Sequence, residues 1–164
     1  MKYRQDNRTK EEFAENIKEC SKIEESLIST YVADIILRTG KKYSWRAAND
    51  LAKGELVEKD SDVTSEADFI VAGPDGDVKT EIKFARKHDK VFRLKVSHLK
   101  SYIKQKATLV VFMGIEQSEP KYTVISTELM QKFIDTLPDK YFPAWKKDVK
   151  QIECKLLEWV KYET

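Results

Sequence analysis

Residues 67–85 read ADFIVAGPDGDVKTEIKFA, and the rest of the chain is read outward from them. Asp68 opens a short apolar run, Gly73, Pro74 and Gly76 punctuate it, and a second β-rich run carries Glu81 and Lys83. The pattern predicts a β-hairpin. Side chains on a strand alternate between faces, so Glu81 and Lys83 share one face about 7 Å apart while Ile82 and Phe84 take the other. With Asp68 at the mouth of the first strand, two carboxylates and an ammonium converge. Such a group suits a divalent cation and a water beside a phosphodiester. Asp75 falls in the turn and is set aside; Glu66, two residues from Asp68 on the same face, is an alternative ligand.

Upstream, residues 10–38 repeat Phe13, Ile17, Cys20, Glu24, Ile28, Tyr31 and Ile35 at helical steps, with Thr9 as N-cap and Gly40 past the last turn. Glu24 is the one carboxylate on that stripe. It lies either at the edge of the apolar face or in a functional role. Residues 41–66 show no sustained period, and read as an irregular loop or a short helix over residues 45–53 followed by an acidic loop. There Tyr43, Trp45 and Arg46 would approach nucleic acid by stacking and phosphate contact, or tuck against the core.

Downstream, residues 91–96 alternate Phe92, Leu94 and Val96 with Arg93 and Lys95, a third strand with one wet side. Ser97 is the expected N-cap of a helix with Leu99, Tyr102 and Ile103 inward and Lys100, Lys104 and Lys106 outward. Residues 108–114 are apolar on both alternations, as in a strand covered on both faces. A strand over residues 122–126 and a helix to about Leu137 follow, the latter buried through Leu129, Phe133, Ile134 and Leu137 and stopped by Pro138. From Ala144 the spacing of Trp145, Val149, Ile152, Leu156 and Trp159 or Val160 predicts a further helix, which would pack on the core or on a second copy of the chain.

The chain has 164 residues, 41% hydrophobic and 35% charged, enough for one domain with a core and unlike a disordered chain. A single domain over residues 1–164 is expected, with a core over residues 10–126 and a helical extension over residues 127–164. No apolar run reaches the ~18 residues of a membrane span, and the polar N-terminus has no secretory or transit character, so a cytoplasmic location is expected. Cys20 and Cys154 form no CxxC pair, which argues against structural zinc and a disulfide framework. Residues 78–106 hold ten basic residues against Glu81 and Asp89, while the whole chain is only +2. Cations so placed around carboxylates imply a polyanionic substrate.

Glu24 with Leu27 and Ile28 on the first helix, Asp68 opening a strand, Glu81-Ile82-Lys83 on the next, and a basic strand leading into a helix occur in this order. The set resembles the PD-(D/E)XK nuclease superfamily, with a layout similar to that of the archaeal Holliday junction resolvases. Ala67 stands where the superfamily's name has proline, and the segment from Gly40 to Asp68 is longer than in the resolvases. The resemblance covers residues 20–126. It implies an α/β, restriction-endonuclease-like fold in the order α-β-β-β-α-β, a mixed central sheet flanked by helices, and here extra C-terminal helices.

What it implies chemically is an Mg²⁺- or Mn²⁺-dependent DNA endonuclease, with RNA left open. Asp68, Glu81 and the main-chain carbonyl of Ile82 would ligate the metal, Lys83 would stabilise the attacking hydroxide and the charge of the transition state, and Glu24 would hold a metal-bound water or a second ion. Arg46, Arg86, Lys87, Lys90, Arg93, Lys95, Lys100 and Lys104 would grip phosphates. His88 and His98 would contact phosphate or solvent. A homodimer is expected for paired cuts. Alternatives are a restriction-type or mobile-element nuclease, and a non-catalytic nucleic-acid-binding module on the same fold.

Overall fold

A computed structural model describes residues 9–48 and 67–163, and divides the chain after Lys79 into two compact units. The protein is α/β. Among the described residues no helix is long and apolar enough to cross a membrane.

The first unit is led by α1, Lys10–Thr39. Thr9 and Glu12 close both ends of a capping box: the Thr9 hydroxyl accepts from the Glu12 N–H at 3.0 Å, and the Glu12 carboxylate from the Thr9 N–H at 3.1 Å. Gly40, at φ 68°, ends the helix by donating its N–H to the Ile36 carbonyl. Phe13, Ala14, Leu27, Ile28 and Val32 are buried, so the apolar stripe runs through Leu27 and Val32 as well as Ile28. Burial, and after it the neighbouring Tyr43, pushes the Tyr31 hydroxyl up to about 12.

A short strand β1, Ser44–Ala47, pairs antiparallel with β2, Phe69–Gly73, Trp45 lying opposite Val71 and Ala47 opposite Phe69. This replaces the irregular loop or short helix expected over residues 45–53, of which residues 49–53, like Glu66, lie outside the described residues. The pairing settles two side chains. Trp45 meets Phe69 edge-on at 5.6 Å, whereas Arg46 faces outward and pairs with Asp77 at 2.8 Å. Gly73 is required by close approach, because a Cβ there would run into the Tyr43 ring. Pro74 and Asp75 form the expected turn, and β3, Gly76–Ala85, starts in this unit and ends in the other.

In the second unit, β3 pairs in parallel with β5, Thr108–Met113, after a crossover through β4, Val91–Lys95, and α2, Val96–Lys104. The strand β6, Lys121–Ile125, follows antiparallel, and the two-residue β9, Val160–Lys161, closes the order β3-β5-β6-β9. The sheet is therefore mixed. Leu109, Val110, Val111, Phe112 and Met113 are all buried, as a doubly covered strand requires. After β6, Ser126 caps α3, Thr127–Thr136, by accepting from the Leu129 N–H, and Met130 and Phe133 fill its buried side.

Two expectations are corrected here. The helix α2 has Lys95 at its N-cap with no side-chain hydrogen bond, because β4 runs into the helix without a linker, and Ser97 lies inside the first turn. More consequentially, the C-terminal helix is absent. Residues 144–163 enter a hairpin of β7, Lys140–Phe142, and β8, Lys147–Glu153, then a 3₁₀ turn at Cys154–Leu156 and β9. β8 lies between β4 and β7 in a second, three-stranded sheet. The helical spacing was real, but β8 gains a hydrogen-bonding partner on each side, and tertiary pairing outweighs local period. Consequently Trp159 packs within its own unit, donating its indole N–H to the Cys154 carbonyl at 2.9 Å, and Tyr162 lies edge-on against Phe112. The helix proposed as a dimer surface does not exist.

Candidate functional site

Residues 80–85 of β3 show no alternation in burial, three buried residues being followed by three half-buried ones. Thr80, Glu81 and Ile82 are all buried, Ile82 in register with Val110 of β5, and Lys83 reaches partway into solvent. The side chains of Glu81 and Lys83 lie on one face, with the ammonium 3.7 Å from a carboxylate oxygen and only 7% of the Glu81 side chain exposed. A carboxylate that deep must be compensated.

The compensation comes partly from α2. Leu99 and Tyr102, three residues apart, both face inward and are fully buried, and the Tyr102 hydroxyl donates to Glu81 Oε2 at 2.8 Å. The oxygen that faces Lys83 is thus the one oriented by the tyrosine. At 3.7 Å the ammonium exerts an electrostatic pull without a hydrogen-bond geometry, so it can turn to an anionic ligand without breaking a short bond. Sequence reasoning read Tyr102 only as an apolar core residue. Its position one helical turn from Leu99 carried no hint of the hydroxyl's partner 21 residues upstream.

Glu24 and Asp68 belong to the first unit. Glu24 is half-buried on α1; Asp68 is half-buried just before β2, and its carbonyl accepts from the Ala48 N–H at 2.8 Å. Among the described residues no three or more of His, Cys, Asp and Glu are gathered as a metal-holding cluster. What is brought together in the second unit is Glu81, Lys83 and Tyr102. The Glu81 carboxylate and the Ile82 carbonyl are hard oxygen donors of the kind Mg²⁺ and Mn²⁺ prefer, and the donor type fits.

The basic residues divide into groups. Arg46 and Arg86 are held in exposed ion pairs, with Asp77 and Glu116 respectively. Such pairs contribute little to stability and are readily exchanged for phosphate. Lys87, Lys90, Lys100 and Lys104 are exposed, whereas Arg93 and Lys95 on β4 lean over the rings of Phe142 and Trp145. His88 serves the loop after β5: its Nε2 is 3.0 Å from the Ser118 carbonyl, its main-chain N–H donates to the Gln117 side chain, and its ring occupies the space a Cβ on Gly114 would need. His98 sits beside the Tyr102 ring at 6.0 Å.

Cys154 is buried, and burial pushes its thiol up. Comparison of the chain with family models, with curated proteins and with solved structures finds no match.

Proposed function

We propose that this protein is a divalent-metal-dependent endonuclease acting on DNA, with the restriction-endonuclease-like fold that its motif order suggests. The observation that carries the reading is the buried Glu81 carboxylate, oriented by Tyr102 and facing the Lys83 ammonium 3.7 Å away on the same strand. A bound Mg²⁺ would supply Lewis acidity toward a phosphate oxygen. Glu81 would hold it, with the Ile82 carbonyl as a second oxygen donor. Lys83 would place a positive charge where the scissile phosphate accumulates negative charge, and Tyr102 would keep the carboxylate from rotating away. Asp68 and Glu24 enter through the resemblance alone, as a further metal ligand and a water-holding carboxylate. Lys87, Lys90, Lys100 and Lys104 supply phosphate contacts, so affinity falls with rising salt. A homodimer would cut two strands.

The test is cleavage of duplex, single-stranded and four-way-branched DNA with and without Mg²⁺, repeated for Glu81→Gln, Lys83→Ala, Asp68→Asn and Glu24→Gln. Loss of cutting in the first two, with folding retained, supports the site. Wild-type cutting by both sinks it. A second reading, a non-catalytic nucleic-acid-binding module, is favoured by the cations and rings brought together on the second sheet. Calorimetric titration with Mn²⁺ separates the two, since a pure binder has no metal site that depends on Glu81.

A further inference from the structure

The three-stranded sheet has one face packed inward and one that is largely exposed, with Val149 buried at its centre. Leu94, Lys150 and Ile152 are buried, and α2 packs against β4 and β8. Residues directly opposite one another share a face. The register sets Lys95 and Lys140 on either side of Val149, Arg93 opposite Gln151, and Phe142 opposite Lys147. All of these lie on the other face, which therefore carries Arg93, Lys95, Lys140 and Lys147 against the one carboxylate of Glu153.

Two aromatic rings are set among these cations. Phe142 and Trp145 touch at 4.8 Å between centroids, the Arg93 guanidinium lies 4.7 Å over Phe142, and the Lys95 ammonium lies 5.4 Å from the Trp145 ring. Trp145 is 39% exposed. The hairpin that holds it turns through Lys146 at φ 50°, and the Trp145 N–H donates to the Phe142 carbonyl at 3.1 Å.

From this juxtaposition we infer that the outer face of the β4-β8-β7 sheet binds single-stranded DNA. Unpaired bases would stack on Trp145 and on the guanidinium plane layered over Phe142, and phosphates would lie along Lys95, Lys140 and Lys147. A flat aromatic flanked by cations fits a strand whose bases are splayed out, whereas a duplex hides its base faces in the stack. The inference rests on the nucleic-acid reading above but not on its metal chemistry. It gives the protein a hold on an unpaired strand, at a surface made of residues other than Glu81 and Lys83.

Binding is measured by fluorescence anisotropy of a labelled twenty-nucleotide oligothymidylate in EDTA, where no metal-dependent cutting occurs. The expected result is preference for this strand over a duplex of equal length. Trp145→Ala should weaken it about tenfold and Trp145→Phe should restore most of the loss. Lys95→Gln with Lys140→Gln should flatten the salt dependence by a slope of about 1.4. A strand of abasic residues, equal in charge but without bases, should bind about tenfold more weakly than oligothymidylate. Equal binding of the abasic strand, or duplex preference that Trp145→Ala leaves intact, overturns the inference. Cleavage by Glu81→Gln is scored separately, so that failure of this surface and failure of the nuclease site are told apart.

Discussion

Among the described residues of the second unit, Glu81 and Lys150 are buried charges, and they are buried in opposite senses. On β3 the carboxylate of Glu81 is buried and its cation, Lys83, is 39% exposed. On β8 the ammonium of Lys150 is buried and its anion, Asp139, is 54% exposed. Lys150 is tightly bound: it donates to the Leu137 carbonyl at 2.5 Å and the Ile134 carbonyl at 3.2 Å, and pairs with Asp139 at 2.6 Å. A lysine has three protons to donate; two close the C-terminal end of α3 and the third meets the Asp139 carboxylate. Glu81 has a short bond from Tyr102, and Lys83 meets it through a longer electrostatic contact. The Lys150 arrangement is complete within the fold; the Glu81 arrangement holds Lys83 loosely at the surface, where a phosphate can compete for it. That contrast distinguishes a structural buried charge from one suited to chemistry.

The contrast can be broken by exchanging the roles. Lys83→Ala should slow Mg²⁺-dependent DNA cleavage by roughly 10²–10³-fold, the cost of removing one transition-state charge partner, while leaving the urea unfolding midpoint near wild type. Lys150→Met should do the reverse, lowering unfolding free energy by about 3 kcal/mol because helix-end carbonyls lose their donor, with cleavage by the folded fraction little changed. If Lys150→Met unfolds no more easily than wild type, the distinction between the two lysines fails. Tyr102→Phe lies between them. It removes a hydrogen bond to a charged acceptor, for a stability loss of about 2 kcal/mol and a loosened carboxylate that cuts more slowly.

Tyr31 in the first unit shows another way to bury an ionisable group: it stays neutral. With its hydroxyl pushed up to about 12 from an ordinary 10, the unfolded chain loses the proton first as pH rises. Stability from this group is therefore constant below pH 10 and declines between pH 10 and about 12. Burial raises Tyr162 as well, so ultraviolet titration should show a late tyrosine component that shrinks in Tyr31→Phe without vanishing, and the decline in stability over that range should be shallower in the variant.

The hairpin and α1 were legible because their signals are local. Thr9, Glu12 and Gly40 act within four residues of their partners, and the alternation of Glu81, Ile82 and Lys83 is a property of any strand. The tail was misread for the complementary reason. Trp145, Val149, Ile152 and Leu156 satisfy a helical period, yet Val149 and Ile152 are β-branched and find Lys95 and Phe92 opposite them across β4. Those pairings join residues more than fifty positions apart, beyond any window in which periodicity is counted. Tyr102 was read correctly as buried and incompletely as apolar, because burial is periodic and a hydrogen-bond partner is not.

The sequence by itself determined α1 and the order of elements from β2 to α3, the doubly buried character of β5, the shared face of Glu81 and Lys83, and the concentration of positive charge around them. Each follows from spacing along one strand or helix, or from composition. Tertiary structure alone decided that residues 147–153 form a strand, that Tyr102 orients Glu81, that Lys150 closes α3, and that Arg93 and Lys95 lie over Phe142 and Trp145. These depend on which distant segments meet, and a hydroxyl, an ammonium or an aromatic ring acquires its role only from the group it meets.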